Sequence, residues 1–218
     1  MPDEMAWSQV QRHLDSLVPE REEELRAMEA HARRTSFPIV GPVAGYLCYQ
    51  IARMVGARRV FELGSGFGYS TAWFAKAVRE NGGGEVHHVV WDEELSARAR
   101  QHLAQLGFNG IVRFQVGEAV AALQQADGLF DLIFNDIDKD GYPDSLPVIE
   151  AKLRSGGVLI VDNALWHGRV FDASDASEET RGVKELTRRL TSDARWITSL
   201  LPVRDGLLVA LWTGNHPV

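Results

Sequence analysis

The stretch Arg59 to Glu80 constrains this chain most. Arg59-Val60-Phe61-Glu62-Leu63 reads as a short strand, Gly64-Ser65-Gly66-Phe67-Gly68 as a glycine-rich turn, and Ser70 to Glu80 as a helix. A strand that feeds a helix through so short a turn opens a β-α unit, and such units build parallel sheets with crossover helices. The chain then repeats the alternation. Gly82-Gly83-Gly84 breaks it, Val86 to Trp91 reads as a second strand and Glu94 to Leu106 as a helix. Ile111 to Val116 is a third strand before a helix over 118–125. Leu129 to Phe134 is a fourth strand, nearly all apolar, as befits a strand covered on both faces. A helix over 145–153 leads through Gly156-Gly157 to a fifth strand, Val158 to Val161. The tail departs from this pattern. After a helix over 181–192, Ile197 to Val203 and Gly206 to Trp212 read as strands around Arg204-Asp205, and so short a link requires an antiparallel hairpin. The expected fold is α/β: a Rossmann-like, doubly wound, mostly parallel seven-stranded sheet with a C-terminal antiparallel hairpin.

Helices are expected ahead of that core. Residues 4–18 carry Met5, Val10, Leu14, Leu17 and Val18 as an apolar stripe. Pro19 opens a second helix, with Glu20, Glu22, Glu23 and Glu24 at its start and Arg33 and Arg34 at its end, which complements the helix dipole. Phe37 to Gly45 reads as a turn and Tyr46 to Val55 as a third helix. We therefore expect one domain over 1–218, a helical extension at 1–55 and a Rossmann-like core at 56–218. A chain of 218 residues, 45% hydrophobic, can bury a core without staples, and the lone Cys48 reads as a small buried hydrophobe. The net charge of −7, from 23 bases and 30 acids, disfavours loose nucleic-acid binding. The longest uncharged run, Thr35 to Ala52, is broken by Pro38, Gly41, Pro42 and Gly45, so no membrane span is expected. Met1 to Glu4 lacks the apolar core of a signal peptide, and the expected location is cytoplasmic.

The glycine turn selects among ligands. Glycines let backbone approach a ligand closely, and a helix N-terminus offers free N–H groups to an anion. A dinucleotide fingerprint needs G-x-G-x-x-G, but Tyr69 stands at its third glycine. Gly64, Gly66 and Gly68 instead form G-x-G-x-G after the acid Glu62. This resembles the nucleotide loop of S-adenosylmethionine-dependent methyltransferases, which implies that the helix start and Ser70 hold the methionine carboxylate.

Two acidic clusters follow strands. Asn135-Asp136-Ile137-Asp138-Lys139 comes after the fourth and Asp162-Asn163-Ala164-Leu165-Trp166 after the fifth, both at the edge where open parallel sheets bind ligands. Helix caps or solvated charges would explain either cluster alone. Together, Asp136, Asp162 and Asn163 supply three oxygen ligands, an incomplete shell that suits Mg²⁺.

With these three segments the chain resembles the cation-dependent O-methyltransferases that include catechol O-methyltransferase and caffeoyl-CoA O-methyltransferase, over about residues 35–212. The resemblance implies a divalent metal (Mg²⁺, or Mn²⁺ or Ca²⁺) on Asp136, Asp162 and Asn163, and a catalytic role for Lys139. It implies an S-adenosylmethionine site lined by Val40, Glu62, Gly64, Ser65, Gly66 and Ser70, by Gly117, Glu118 and Ala119 near the adenine, and by Asp136. Trp166 becomes an aromatic wall of the acceptor pocket, beside Lys139. A homodimer is also implied. Two positions depart from the pattern. Val90 stands where an acid usually holds the ribose, leaving Asp92 as the nearest replacement, and Ser199 stands where the catechol enzyme has an acceptor-contacting carboxylate.

A phenol is a poor nucleophile until it loses its proton, its pKa being near 10 in tyrosine. A divalent cation on a vicinal diol lowers that pKa, and Lys139 takes or steers the proton. Phe37, Trp166 and Trp212 are candidate walls for a flat ring, and the polar segment 168–180 a candidate lid or acceptor-selecting segment. The expected function is methyl transfer to a catechol-like small molecule. One alternative is modification of a hydroxylated uridine in tRNA, with Arg33, Arg34, Arg53, Arg58 and Arg59 as a basic patch. Another is a non-catalytic S-adenosylmethionine-binding protein.

Overall fold

A computed structural model describes residues 4–214, with side chains from Trp7 onward. Met1 to Asp3, within the segment read for a signal peptide, lie outside the described residues, as does the side chain of Met5. The helices are α1 (Glu4–Leu17), α2 (Glu23–Thr35), α3 (Gly41–Met54), α4 (Tyr69–Glu80), α5 (Glu93–Gln105), α6 (Ala119–Gln125), α7 (Tyr142–Lys152) and α8 (Glu178–Ser192). The strands are β1 (Arg59–Leu63), β2 (Glu85–Val90), β3 (Val112–Val116), β4 (Phe130–Asn135), β5 (Leu153–Val161), β6 (Trp196–Leu201) and β7 (Leu207–Trp212). They form a seven-stranded sheet in the order β3-β2-β1-β4-β5-β7-β6. The first five strands run parallel, and β7 pairs antiparallel with both β5 and β6.

Side-chain alternation along each strand sorts the core into two layers. Val60, Val86, Leu132, Phe134 and Ile160 face one side, where α2 to α5 cover them with Met28, Cys48, Phe74 and Leu103. Phe61, Leu63, Ile133 and Leu159 face the other, under Leu123 of α6, Ile149 of α7 and Leu186 of α8. Each such large side chain contributes about 1.5–3 kcal/mol by leaving water. Cys48 is fully buried, as expected. His87 and His88 take opposite faces of β2: His87 lies against Phe61 and Phe130, and His88 against Thr71. No helix among the described residues is long and apolar enough to cross a membrane.

Several boundaries differ from expectation, and prolines and glycines explain most of them. α3 starts at Gly41, five residues early, because Pro42 sits in the first turn, where no intrahelical N–H is needed. α7 starts at Tyr142 for the same reason, with Pro143 in its first turn. α2 starts at Glu23 rather than at Pro19, after an extended Glu22. β5 runs back to Leu153, carrying Gly156-Gly157 inside it, with a register shift against β4 between Phe130 and Leu132. α8 starts at Glu178, where the Ser177 hydroxyl accepts the N–H of Thr180.

Candidate active site

The strand order reverses direction between β1 and β4, so the turns leaving them diverge and open a crevice at the C-terminal edge. Backbone hydrogen bonds tie the relevant turns side by side. The N–H of Asp136 donates to Leu63 O (2.8 Å), that of Asp162 to Asn135 O (3.1 Å), that of Ser65 to Val89 O (3.0 Å) and that of Gly117 to Val90 O (3.0 Å). Gly64 brings two of these turns together: at φ +87°, a Cβ there would lie 2.5 Å from the carbonyl oxygen of Asp136. The glycine turn and the first acidic turn are thus in backbone contact, which no other residue type would permit.

A cleft of about 890 Å³ opens here, lined by Val40, Gly64, Ser65, Gly66 and Ser70. Asp136, Lys139, Asp162, Asn163 and Trp166 also line it, and Phe37 lines it against the glycine turn, where a Cβ on Gly66 would lie 3.2 Å from its ring. A second hollow of about 490 Å³ adjoins it at Gly64 and Asp136, and includes Asp92, Gly117, Glu118 and Ala119. The structure therefore brings the sequence-derived residues to one place, Glu62 and Trp212 excepted. Glu62 lies beneath the cleft floor, fully buried, and neither carboxylate oxygen has a hydrogen-bond partner among the described residues. Burial pushes its pKa up to about 7, against the opposing pull of the nearby Ser70, Thr71 and Ser65 hydroxyls. Gly68 caps α4 without a side chain, so the first N–H groups of that helix, at Ser70, are left for an anion.

Two acids at the second hollow are already engaged. Asp92 caps α5, its Oδ1 accepting from Leu95 N (2.9 Å). Glu118 uses both oxygens to cap α6, accepting from Val120 N (2.8 Å) and Ala121 N. Val90 is buried, so Asp92 Oδ2 is the acidic atom that remains at the end of β2.

In the acceptor half, the Lys139 ammonium is buried and donates to Asp136 Oδ1 (2.8 Å) and to Ile137 O (3.0 Å). It lies 4.9 Å from the Tyr142 ring centre and 6.0 Å from that of Trp166. Burial raises the pKa of Asp136, opposed by Lys139. Burial, and then repulsion from Asp136, raise that of Asp162 to about 7. Among the described residues, no three His, Cys, Asp or Glu side chains cluster as metal ligands. The donor set is the two carboxylates and the Asn163 amide. Two hard, mutually repelling carboxylates, only one of them paired with the Lys139 ammonium, fit a divalent cation in chemistry and in charge.

Sequence reasoning missed the residues that aim this set. Asp205 accepts from Asn163 Nδ2 (3.1 Å) and from His167 N (2.6 Å), which fixes the amide and turns its oxygen away from Asp205. The buried Tyr142 hydroxyl donates to Asp162 O (2.9 Å), and Ser145 is bonded both to the Asn135 amide (2.9 Å) and to Tyr142 O (2.8 Å). The Asp205-Gly206 pair signalled only a turn. Gly182 of α8 packs flush on the lysine turn, where a Cβ would lie 2.0 Å from Lys139 O.

Other expectations need correction. Trp212 is no acceptor wall: it is buried in the core, 4.6 Å from Trp196, ring centre to ring centre. Ser199 sits exposed on β6, opposite Val209, and lines neither hollow. Segment 168–180, by contrast, does reach the cleft, at Glu179, and Asp175 holds it together by accepting from Arg169 Nε (2.6 Å), Ser177 Oγ (2.6 Å) and Thr180 Oγ1 (2.9 Å).

The family model described as O-methyltransferase matches residues 15–212. A relative from Mycolicibacterium smegmatis, named as an O-methyltransferase, is 33% identical over 174 residues, covering 79% of this chain and 82% of its own. Among solved structures, the O-methyltransferase TomG of Streptomyces achromogenes, in complex with SAM, superposes with a TM-score of 0.86 at 27% identity, covering 98% of this chain and 100% of its own. An O-methyltransferase of Bacillus cereus in complex with SAH gives 0.85 at 25% identity, covering 95% and 99%.

Proposed function

The chain belongs to the O-methyltransferase family, and from that membership we propose that it transfers the methyl group of S-adenosylmethionine to one hydroxyl of a catechol-like phenolic small molecule, with a divalent cation, Mg²⁺ in the first instance, held by Asp136, Asp162 and Asn163. The observation that carries this reading is the contact between the turns: the acidic tips of β4 and β5 open into the same cleft as the glycine turn after β1. TomG and the Bacillus cereus enzyme hold SAM and SAH, which supports the same donor here.

A bound cation would supply Lewis acidity to a vicinal diol at this place, lowering the pKa of one hydroxyl. The chain's own groups do the rest. The N-terminus of α4 and Ser70 hold the donor's carboxylate. The close backbone at Gly64 seats the donor between the two hollows. Lys139 Nζ lies within a hydrogen bond of Asp136: as the free amine it takes the phenolic proton and becomes the ammonium, which then donates to the phenolate oxygen. Phe37 and Trp166 flank the ring and exclude water. Asp205 keeps the Asn163 amide aimed. Holding the two reactants in line supplies on the order of 7–11 kcal/mol of the barrier. A second copy of the chain is the proposed partner in solution.

The tRNA reading loses ground on one observation: Arg53 and Arg59 are paired with Glu80 and Glu85, so two of the five arginines of its patch are neutralised. The test is a panel of catechols, flavonoids and hydroxycinnamates with S-adenosylmethionine, with and without chelator, beside bulk tRNA. Turnover of a vicinal diol, lost with chelator and restored by Mg²⁺, is expected. Full activity in excess chelator, full activity of Asp136→Ala, or methylation of tRNA with none of the diols would overturn the proposal.

A further inference from the structure

We infer that Arg204 selects the acceptor by a negative charge: the phenol that enters this cleft carries a carboxylate as well as its hydroxyls. The inference rests on the catechol reading above and goes beyond it by naming a second recognition element and the residue that provides it.

Arg204 lies in the turn between β6 and β7, in the left-handed region at φ +52°, a conformation that L side chains rarely adopt. Its backbone N–H donates to Gln11 Oε1 of α1 (3.2 Å), which anchors the turn against the N-terminal helix. The side chain lies over Gly41, at the start of α3. A Cβ on Gly41 would come within 1.9 Å of Nη1, so that glycine leaves the room the guanidinium occupies. The side chain lines the same cleft as Asp162 and Trp166.

Charge then decides what the guanidinium does. The other full cation lining the cleft, Lys139, is hydrogen-bonded to Asp136, and the nearby Arg169 is held by Asp175. Among the described residues, Arg204 forms no ion pair within 4.0 Å, although its charge reaches Asp162 across the cleft and helps to hold that carboxylate ionised. Five aspartates and Glu179 line the same cleft, so an anionic acceptor is repelled along most of its wall and welcomed at Arg204. A planar guanidinium binds a carboxylate through two parallel hydrogen bonds. An acceptor held there by its carboxylate presents its far end, the diol, towards the acidic turns, in one orientation.

The experiment compares 3,4-dihydroxybenzoate with its neutral analogue 3,4-dihydroxybenzamide, in the wild type and in the Arg204→Gln, Arg204→Lys and Arg204→Gly variants, with S-adenosylmethionine and Mg²⁺. The wild type is expected to favour the acid by roughly five- to tenfold in kcat/KM, mostly through KM, the scale of a partly solvated ion pair. In Arg204→Gln that preference falls to about one. Arg204→Lys retains part of it, and added salt shrinks it in the wild type. Arg204→Gly relaxes the positive φ, so its loss of preference separates charge recognition from damage to the turn. Equal turnover of both compounds by the wild type overturns the inference and leaves the catechol reading standing. A preference that survives in Arg204→Gln overturns it too, as does a variant that raises the KM for S-adenosylmethionine with both acceptors at an unaltered ratio. Methylation of neither compound, nor of any other diol, overturns the catechol reading and this inference together.

Discussion

Replacing Glu62 by Gln isolates the cost of a buried charge beneath the cleft. The carboxyl is fully buried, its two oxygens have no hydrogen-bond partner, and burial raises its pKa from 4.5 to about 7. The folded protein therefore holds this proton more tightly than the unfolded chain. Its stabilising effect is complete below pH 4.5 and is lost as pH rises through 7. Two and a half pKa units at about 1.36 kcal/mol each correspond to a loss of about 3 kcal/mol by pH 9. Gln is close in shape to the protonated acid. The variant should match the wild type near pH 5 and exceed it by about 3 kcal/mol at pH 9. Urea denaturation of both proteins without methyl donor, at several pH values from 5 to 9, measures the difference directly. Contributions from other titrating groups cancel between the two proteins. Parallel stability curves, separated by a constant at every pH, would refute the reasoning, because they would place Glu62 in a solvated or fully paired environment.

Other outcomes follow from the same geometry. Gly64→Ala combines a positive φ with a Cβ 2.5 Å from Asp136 O, so a destabilisation of ~2–5 kcal/mol with loss of donor binding is expected in melting and calorimetry. Asp205→Ala frees the Asn163 amide, and turnover of a diol should fall 10–100-fold, the range of other supporting-shell losses; Asp205→Asn should restore little, because it cannot accept with both oxygens. Tyr142→Phe leaves the buried Asp162 carbonyl without its 2.9 Å donor and should cost about 1–3 kcal/mol in denaturant titration. Burial drives the pKa of His88 down to about 3, so the folded form refuses a proton that the unfolded chain accepts near 6.5. Stability should fall as pH drops from 6.5 towards 3, and His88→Phe should flatten that limb.

The sheet was legible because its evidence is local. Each parallel strand is a short run rich in Val, Leu, Ile or Phe closed by a turn, and β1 was read to the residue as Arg59–Leu63. The glycine turn and both acidic tips were legible for a similar reason: the order of β-α units places strand ends on one edge before any side chain is considered. Boundaries at Gly41 and Tyr142 were not, because proline marks a break and a first helical turn with the same letter. The supporting residues were hidden by distance along the chain. Asp205 aims a group 42 residues away, and nothing near Asp205 in sequence signals that partner. Glu118 and Asp92 show the converse: both lie where a ligand-holding acid belongs, yet both oxygens of Glu118 and one of Asp92 are engaged with the first turn of their own helices. Trp212 was misplaced because aromatic character says nothing about which end of a sheet a strand's last residue occupies.

The contact between Gly182 and Lys139 O separates what can diverge here from what cannot. With room only for a hydrogen, α8 and the lysine turn behave as one block, and a side chain at 182 would shift the ammonium before it touched any acceptor. Variation in acceptor preference is therefore channelled into the Trp166-His167 stretch and the β6–β7 turn, which border the cleft without that constraint. Loop transplants confined to those two stretches should exchange acceptor preference while keeping the proton-handling apparatus of the recipient.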